Sequence, residues 1–163
     1  MGSQSFIEYL KPRLLAFLEF IVSGLVLWIV LPALHEGMHS YVDQLLGNPP
    51  GTIKVLYHQG VPIGGFYEPV TWAVSRAHLI AVALAGGVGV ALFFIWLDKH
   101  VHTRRGLDYS LNFWWAQQLT YAVGEALYFA ELISWPFLYV FVYLGYLMGV
   151  FCVLLELNGV INV

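Results

Sequence analysis

The chain has 163 residues, of which 60% are hydrophobic and 10% are charged, and its formal net charge at pH 7 is −3. Soluble globular proteins carry about 25% charged and 45–50% apolar residues, so this composition excludes an ordinary water-soluble domain. The acidic balance, without an extended basic patch, argues against a nucleic-acid partner. A polytopic membrane protein in contact with the lipid bilayer is the class that remains.

Long stretches with almost no charge predict four membrane-spanning helices, because about 20 apolar residues are needed to cross ~30 Å of hydrocarbon. The first is predicted over residues 12–46, with Pro12 at its start and a kink near Pro32. It ends at the cluster Gly47-Asn48-Pro49-Pro50-Gly51, through which no helix continues. The other three helices are predicted over residues 72–97, 111–132 and 135–157.

Residues 52–67, between the first and second helices, have a different pattern. They are rich in β-branched and aromatic residues on either side of His58-Gln59-Gly60, which predicts a short β-hairpin. Unpaired strand edges are not tolerated in contact with lipid, so we expect the hairpin at the interface or folded against the helices. The predicted fold class is an all-α polytopic membrane protein with one β-hairpin, and residues 1–163 form a single membrane-embedded domain.

The basic residues are divided unevenly between the two sides of the predicted bilayer. The N-terminal segment and the polar loop at residues 98–108 share a side that holds five basic residues, against two on the other side. The positive-inside rule then places the N-terminus in the cytoplasm. The five residues are Lys11, Arg13, Lys99, Arg104 and Arg105, and the two are Lys54 and Arg76.

Three titratable side chains, His35, Glu36 and His39, lie together in the first helix as H-E-G-M-H. Residues four apart lie on one face of a helix, so both histidines can bind one metal ion. Glu36 is turned about 100° from His35, which places its carboxylate beside the metal, where it can accept a proton from a water that the metal acidifies. Titratable groups inside membrane helices are usually functional, and this motif is expected by chance in roughly one such sequence in a hundred.

A catalytic zinc ion normally has three protein ligands and one open position. We predict Glu125, in the middle of the third helix, as the third ligand, because its depth in the bilayer is similar to that of His35. A structural acid that bonds a neighbouring helix is the other interpretation of Glu125, and Glu131 is the alternative ligand. Asp43, one turn beyond His39, fits better as an outer partner of the site or an interfacial acid. Three further histidines are candidates. His58, in the hairpin, could reach the site only if the hairpin folds inward. His100 and His102, in the polar loop, are expected to face solvent.

The order of these features resembles that of the site-2 protease family of intramembrane zinc metalloproteases. The segment from His35 to Gly47 is similar to the family's H-E-x-G-H helix with its closing L-x-G. A glycine-bearing hairpin and Ala83-Leu84-Ala85-Gly86-Gly87 follow, and the latter is similar to the segment that opens the family's next helix. The likeness covers about residues 25–130. It departs in two places, since Glu125 stands where the family usually has aspartate, and Gly37-Met38 reverses the usual order.

The resemblance implies a zinc metalloendopeptidase that cleaves a membrane-protein or peptide substrate in or near its transmembrane segments. Glu36 would be the catalytic base, and zinc would be bound by His35, His39 and Glu125. The hairpin would pair with the substrate by strand addition. The residues expected to contact substrate are Gly64, Gly65, Phe66 and Gln118. The resemblance places the hairpin on the cytoplasmic side, opposite to the side that the basic residues indicate. The expected location is the cell membrane of a prokaryote, and the oligomeric state is left open.

Two other functions fit parts of the sequence. A catalytically inactive, metal-binding membrane regulator would keep the ligands, although metal binding alone does not require Glu36. A small ion or solute transporter could line a path with Glu19, Glu125, Glu131 and the histidines, although four helices are few for that purpose unless the chain is an oligomer.

Further polar and small residues also have predicted roles. Asn112 and Gln117 could bind substrate backbone, although interfacial solvation is the better interpretation of Asn112. Three glycines, Gly86, Gly87 and Gly89, are predicted to allow close helix packing.

Overall fold

The computed structural model describes residues 3–72, 74–101 and 105–158, so that His102 and Arg104 lie outside the described residues. The described residues form four helices and one antiparallel hairpin in the predicted order. The elements are α1 (Ser3–Leu45), β1 (Thr52–His58), β2 (Val61–Glu68), α2 (Arg76–His100), α3 (Arg105–Phe129) and α4 (Trp135–Leu157).

Three of the helices, α1, α2 and α4, are long and apolar enough to cross a membrane. The part of α1 that qualifies is Leu10–Leu45, and large apolar side chains on it, among them Leu14, Phe17 and Val22, are exposed. The α3 helix is as long as α2 but more polar, and it packs against all three other helices. Its polar side chains face this interior: Ser110, Asn112, Gln117 and Gln118 are buried.

The starts of the first three helices differ from the predicted positions. The α1 helix begins at Ser3, so Pro12 lies inside it rather than at its first turn. The α2 helix begins at residue 76 rather than 72, because the Ser75 side chain caps it by accepting a hydrogen bond from the His78 amide. The α3 helix begins at residue 105 rather than 111, so the predicted 98–108 loop is much shorter. The predicted 135–157 helix is confirmed at both ends by α4.

The C-terminal ends of α1 and α3 depend on a residue with positive φ. After α1, Gly47 has a φ of 97° and the Asn48 amide donates to the Asp43 carbonyl, which is a Schellman end. After α3, Glu131 takes the equivalent position with a φ of 60°. The α3 helix therefore ends at Phe129, three residues before the predicted boundary.

Small residues bring the helices close together. A Cβ atom at Gly87 would meet the Gln118 carbonyl and Ala122, so the contact between α2 and α3 requires glycine there, as predicted. Gly106 of α3 lies equally close to α1, at Ala16. The apolar core beside these contacts consists of Leu31, Val90, Phe94, Leu111 and Trp114.

The hairpin is antiparallel and packs on α1. Gln59 and Gly60 both have positive φ, 50° and 80°, as a two-residue type I′ turn requires. The register shifts between Leu56 and Tyr57, which marks a bulge. Within the described residues β2 pairs with β1 along one edge and has no strand on the other.

Candidate metal centre

The three residues of the H-E-G-M-H segment lie in the C-terminal part of α1 and are all buried. His35, Glu36 and His39 have 5%, 7% and 6% of their surface exposed. The two imidazole rings lie one helical turn apart, with centroids 4.6 Å apart and planes at 83°. Both rings therefore point away from solvent toward α2 and α3.

Glu125 of α3 completes a group of three potential ligands. Its Oε2 atom lies 3.2 Å from Nε2 of His35 and 3.8 Å from Nε2 of His39. The ligand atoms of the three residues lie within 4.8 Å of one another. Glu125 is thus brought to the histidine pair, as predicted, and its hydrogen bond to His35 of α1 is also the contact that the structural interpretation of this acid expects.

The Nδ1 atoms of the two histidines are held by oxygen acceptors. His35 Nδ1 lies 2.7 Å from Oε1 of Gln118, and His39 Nδ1 lies 2.6 Å from the carbonyl oxygen of Val82. Because a carbonyl oxygen accepts and cannot donate, each Nδ1 carries the hydrogen. Each Nε2 faces the centre of the group, which is the orientation of a metal-binding histidine whose other ring nitrogen is held by an oxygen acceptor.

The chemistry of the converging atoms fits a divalent metal ion. Two imidazole nitrogens and a carboxylate oxygen that converge in a buried space are a donor set that binds divalent cations in proteins. Two nitrogen ligands and one oxygen ligand leave a further coordination position, as in catalytic zinc sites. Such a donor set also suits other first-row divalent ions, so the three residues could hold a metal ion without selecting one metal.

Glu36 lies beside this group and not among its ligands. Its Oε2 atom is 4.0 Å from Nε2 of His39, and its carboxylate lies against β2. A Cβ atom at Gly65 would lie 2.5 Å from Cγ and 2.8 Å from Oε1 of Glu36. Gly65 is thus required for the glutamate to occupy its place. A Cβ atom at the preceding residue, Gly64, would meet nothing within 4 Å.

Gly86 of α2 has a role that the sequence did not indicate. A Cβ atom there would lie 2.7 Å from Nε2 of His35 and would overlap the His39 ring. The glycine was predicted to serve helix packing, and at this close approach of α2 to α1 it leaves room for the Nε2 atoms of the two histidines. Gly89, one turn further, faces the Met38 side chain on α1 and fits the packing role.

The other candidate ligands lie elsewhere. Glu131, the alternative third ligand, is in the turn after α3, where it is exposed and forms an ion pair with Arg76. His58 and His100 are exposed, His58 next to the hairpin turn and His100 against Trp96. Glu131 is therefore not a ligand, and the expectation that His100 faces solvent is confirmed.

Asp43 is 1% exposed and joins three chain segments near the site. It accepts hydrogen bonds from the Tyr67 hydroxyl at 2.6 Å and from Asn48 at 2.8 Å, and His78 Nε2 lies 2.6 Å away. Burial, and after it the Asp43 carboxylate, raise the pKa of the Tyr67 hydroxyl, so the hydroxyl stays protonated and donates. Tyr67 in turn stacks on His39. Asp43 thus ties the hairpin and the start of α2 to α1, which agrees with an outer role and not with metal binding.

Among the residues predicted to contact substrate, the polar ones are buried and engaged within the protein. Gln118 is 3% exposed, accepts from His35 and donates to Gln117, so both of its polar atoms are engaged within the protein. Asn112 is fully buried and bonds Glu156 and Trp115, so the expectation of interfacial solvation is wrong. Phe66 is 46% exposed on the hairpin.

Neither a family model nor a curated protein nor a solved structure matches this chain. The function of the site is therefore inferred from its own geometry and chemistry.

Proposed function

We propose that this protein is a membrane-embedded zinc metalloprotease, similar to the site-2 protease family, that hydrolyses peptide bonds in or near transmembrane segments. The observation that carries the proposal is the convergence of His35, His39 and Glu125, with Glu36 next to them. The three long apolar helices support a multi-pass location in a cell membrane.

The chain's own residues supply binding and proton transfer. Zinc, bound by His35, His39 and Glu125, would supply Lewis-acid chemistry that acidifies water and polarises a carbonyl group. Glu36 accepts one proton from the water as the water oxygen attacks the peptide carbonyl carbon. It then gives that proton to the amide nitrogen as the C–N bond breaks, so a free amine leaves.

The hairpin is positioned to hold the peptide. Among the described residues no strand pairs with the second edge of β2, and we assign this edge to an extended peptide segment, because strand addition binds peptides through main-chain hydrogen bonds without strong sequence preference. Gly65, which contacts Glu36, lies on this strand, so a peptide paired with β2 passes the catalytic base. We assign Gly64, Gly65 and Phe66 to substrate contact and Gln118 to the support of His35.

A transporter is less consistent with the positions of its proposed residues. Glu131 is exposed in the turn after α3, and Glu19 lies 17 residues before Glu36, which is about 25 Å along α1. Glu131, exposed and paired with Arg76 in this turn, therefore does not line the interior of the helix bundle.

Metal content and cleavage test the proposal together. Purified protein should contain about one zinc ion per chain, and His35→Ala, His39→Ala and Glu125→Ala should lose it. Glu36→Gln should retain the zinc and lower cleavage of a single-span peptide in detergent by ~100-fold or more, because the general base is lost. Glu131→Gln is the matched control and should retain both. Zinc retained with full cleavage in Glu36→Gln would refute the assignment of Glu36 as the general base. Zinc without any cleavage by the wild type would favour a metal-binding regulator.

A further inference from the structure

Three side chains on one face of α3 contact His35. Gln118, Tyr121 and Glu125 follow one another at spacings of three and four residues, which places them on one stripe of the helix. Gln118 holds Nδ1 of His35 at 2.7 Å, and Glu125 lies 3.2 Å from Nε2. Between them the Tyr121 ring lies against the imidazole, with centroids 5.4 Å apart and planes at 45°. Tyr121 is the member of this stripe whose purpose metal binding and the support of His35 do not explain.

The hydroxyl group of Tyr121 lies among the charged groups of the centre. It interacts with the Glu125 carboxylate one helical turn away, and the Glu36 carboxylate also acts on it electrostatically. The Tyr121 side chain is only partly buried, whereas Gln118 is 3% exposed. Tyr121 is therefore placed beside the ligands and can still be reached from outside the helix contacts.

Two cavities meet at Tyr121. The outer cavity, of about 320 Å³, lies between β2, the start of α2 and the end of α3, and the inner cavity, of about 290 Å³, lies between α1, α3 and α4. The described residues that line both are Glu36, Gly65, Tyr121, Trp135 and Leu138. Because Glu36 is the proposed general base, the reacting peptide bond must lie where the two cavities meet. Tyr121 faces that place.

Hydrolysis of a peptide bond benefits from a hydrogen-bond donor at this place. As water attacks the carbonyl carbon, an electron pair of the C=O bond moves onto the oxygen, and donors already aimed at that oxygen stabilise its negative charge. Of the described side chains that line both cavities, Tyr121 and Trp135 carry an O–H or N–H group. Trp135 is 54% exposed and packs on Tyr128, whereas Tyr121 contacts a ligand. A phenol keeps its proton at neutral pH, and its O–H group can rotate without moving the ring.

On the basis of the proposed function, we propose that Tyr121 is a catalytic residue that donates a hydrogen bond to the carbonyl oxygen of the scissile peptide bond as this oxygen becomes negative. The water oxygen bonds to the carbonyl carbon, Glu36 takes one proton of the water, and Tyr121 keeps its own proton throughout. When the C–N bond breaks, the electron pair returns from the oxygen to re-form C=O. The hydroxyl thus binds the tetrahedral intermediate more strongly than the peptide, and it raises kcat rather than lowering KM.

Removal of the hydroxyl group tests this assignment. Tyr121→Phe keeps the ring beside His35, so the variant should bind zinc with the affinity of the wild type in competition with a chelating dye. Its kcat for a single-span peptide in detergent should fall by about 100- to 1000-fold, with KM nearly unchanged. Tyr143 on α4 is 67% exposed and lines neither cavity, so Tyr143→Phe is the matched control and should keep the kcat of the wild type.

A transition-state analogue gives a measurement that does not depend on turnover. A phosphinic peptide carries a tetrahedral, negatively charged group in place of the scissile bond, and its binding is measured by calorimetry. We expect Tyr121→Phe to bind this peptide about 100-fold more weakly than the wild type. The uncleaved substrate peptide should bind equally well to Glu36→Gln and to Glu36→Gln combined with Tyr121→Phe, because its carbonyl oxygen is neutral.

A tyrosine that only held Glu125 in place would give a different pattern. Tyr121→Phe would then lose zinc affinity as Gln118→Ala should, by about 10- to 100-fold, and this result would overturn the proposal. Equal affinity of the wild type and Tyr121→Phe for the phosphinic peptide would also overturn it. Weaker phosphinic binding by Tyr121→Phe, without cleavage by the wild type, would uphold Tyr121 as the donor and contradict the protease. Cleavage by the wild type with an unchanged kcat in Tyr121→Phe would do the reverse.

Discussion

Gly86 shows how one missing side chain can determine whether the metal centre forms. The ligand nitrogens of His35 and His39 face the space that a Cβ atom at this position would occupy. We expect Gly86→Ala to weaken zinc binding by about 10- to 100-fold, the usual effect of disturbing the surroundings of metal ligands. Competition with a chelating dye measures the affinity.

The control for this prediction lies inside the motif itself. Gly37 has nothing within 4 Å of its Cβ position, so Gly37→Ala should leave zinc affinity unchanged and slightly favour the helix. If Gly86→Ala binds zinc as tightly as Gly37→Ala, the proposed position of the metal is wrong.

At the level of single residues, the sequence was informative where chemistry depends on local spacing. The i, i+4 histidines and the adjacent Glu36 could be predicted from helical geometry, and Glu125 from its depth in an apolar helix. Gln118 could not be assigned to His35, because its partner is 83 residues away and depends on how α1 packs on α3. The Val82 carbonyl gives no signal at all, since every residue has a carbonyl group.

The hairpin is an element whose position depends on one buried cluster. Tyr67 on β2 donates to Asp43 on α1, and the main chain of Gly51 donates to the same hydroxyl. Tyr67→Phe removes the bond to a buried acid, worth about 1.5–3 kcal/mol, so the hairpin should separate from α1 more often. Amide hydrogen exchange over residues 52–68 should become faster while zinc content is retained.

The same substitution on β1 serves as the control. Tyr57 is 65% exposed, and Tyr57→Phe should leave hydrogen exchange as in the wild type. Equal exchange rates in the two variants would show that the Asp43 cluster does not hold the hairpin.

The order of the elements was predictable, because long apolar stretches and the β-branched hairpin segment differ clearly in composition. The residues at which the elements begin and end were less predictable. Ser75 begins α2 through a side-chain hydrogen bond, and Glu131 follows the end of α3 with a positive φ. Apolar length reveals neither feature. The α3 helix was predicted as a span of the same kind as the others. Its polar side chains are accommodated because it lies among the other three helices, and that arrangement is a property of the tertiary structure.

For the whole molecule, the proposed metal centre would join helices that are far apart in the chain. His35 and His39 belong to α1, Glu125 belongs to α3, and the Val82 carbonyl of α2 holds His39. An ion that binds the folded chain and not the unfolded chain stabilises it by about 4 kcal/mol at a thousand times its dissociation constant. Removal of zinc should therefore loosen α1 from α3 as well as abolish activity.

Thermal unfolding in detergent measures how much the bound ion stabilises the folded chain. The six tryptophans provide an intrinsic fluorescence signal. A chelator should lower the midpoint of the wild type by roughly 5–15 °C, and added zinc should restore it. Glu125→Ala should unfold near the temperature of the chelated wild type, and the chelator should not lower it further, because the ligand from α3 is gone. Glu131→Gln, whose side chain lies outside the centre, should respond to the chelator as the wild type does. If the chelator lowers the midpoint of Glu125→Ala as much as that of the wild type, the ion that it removes does not bridge α1 and α3.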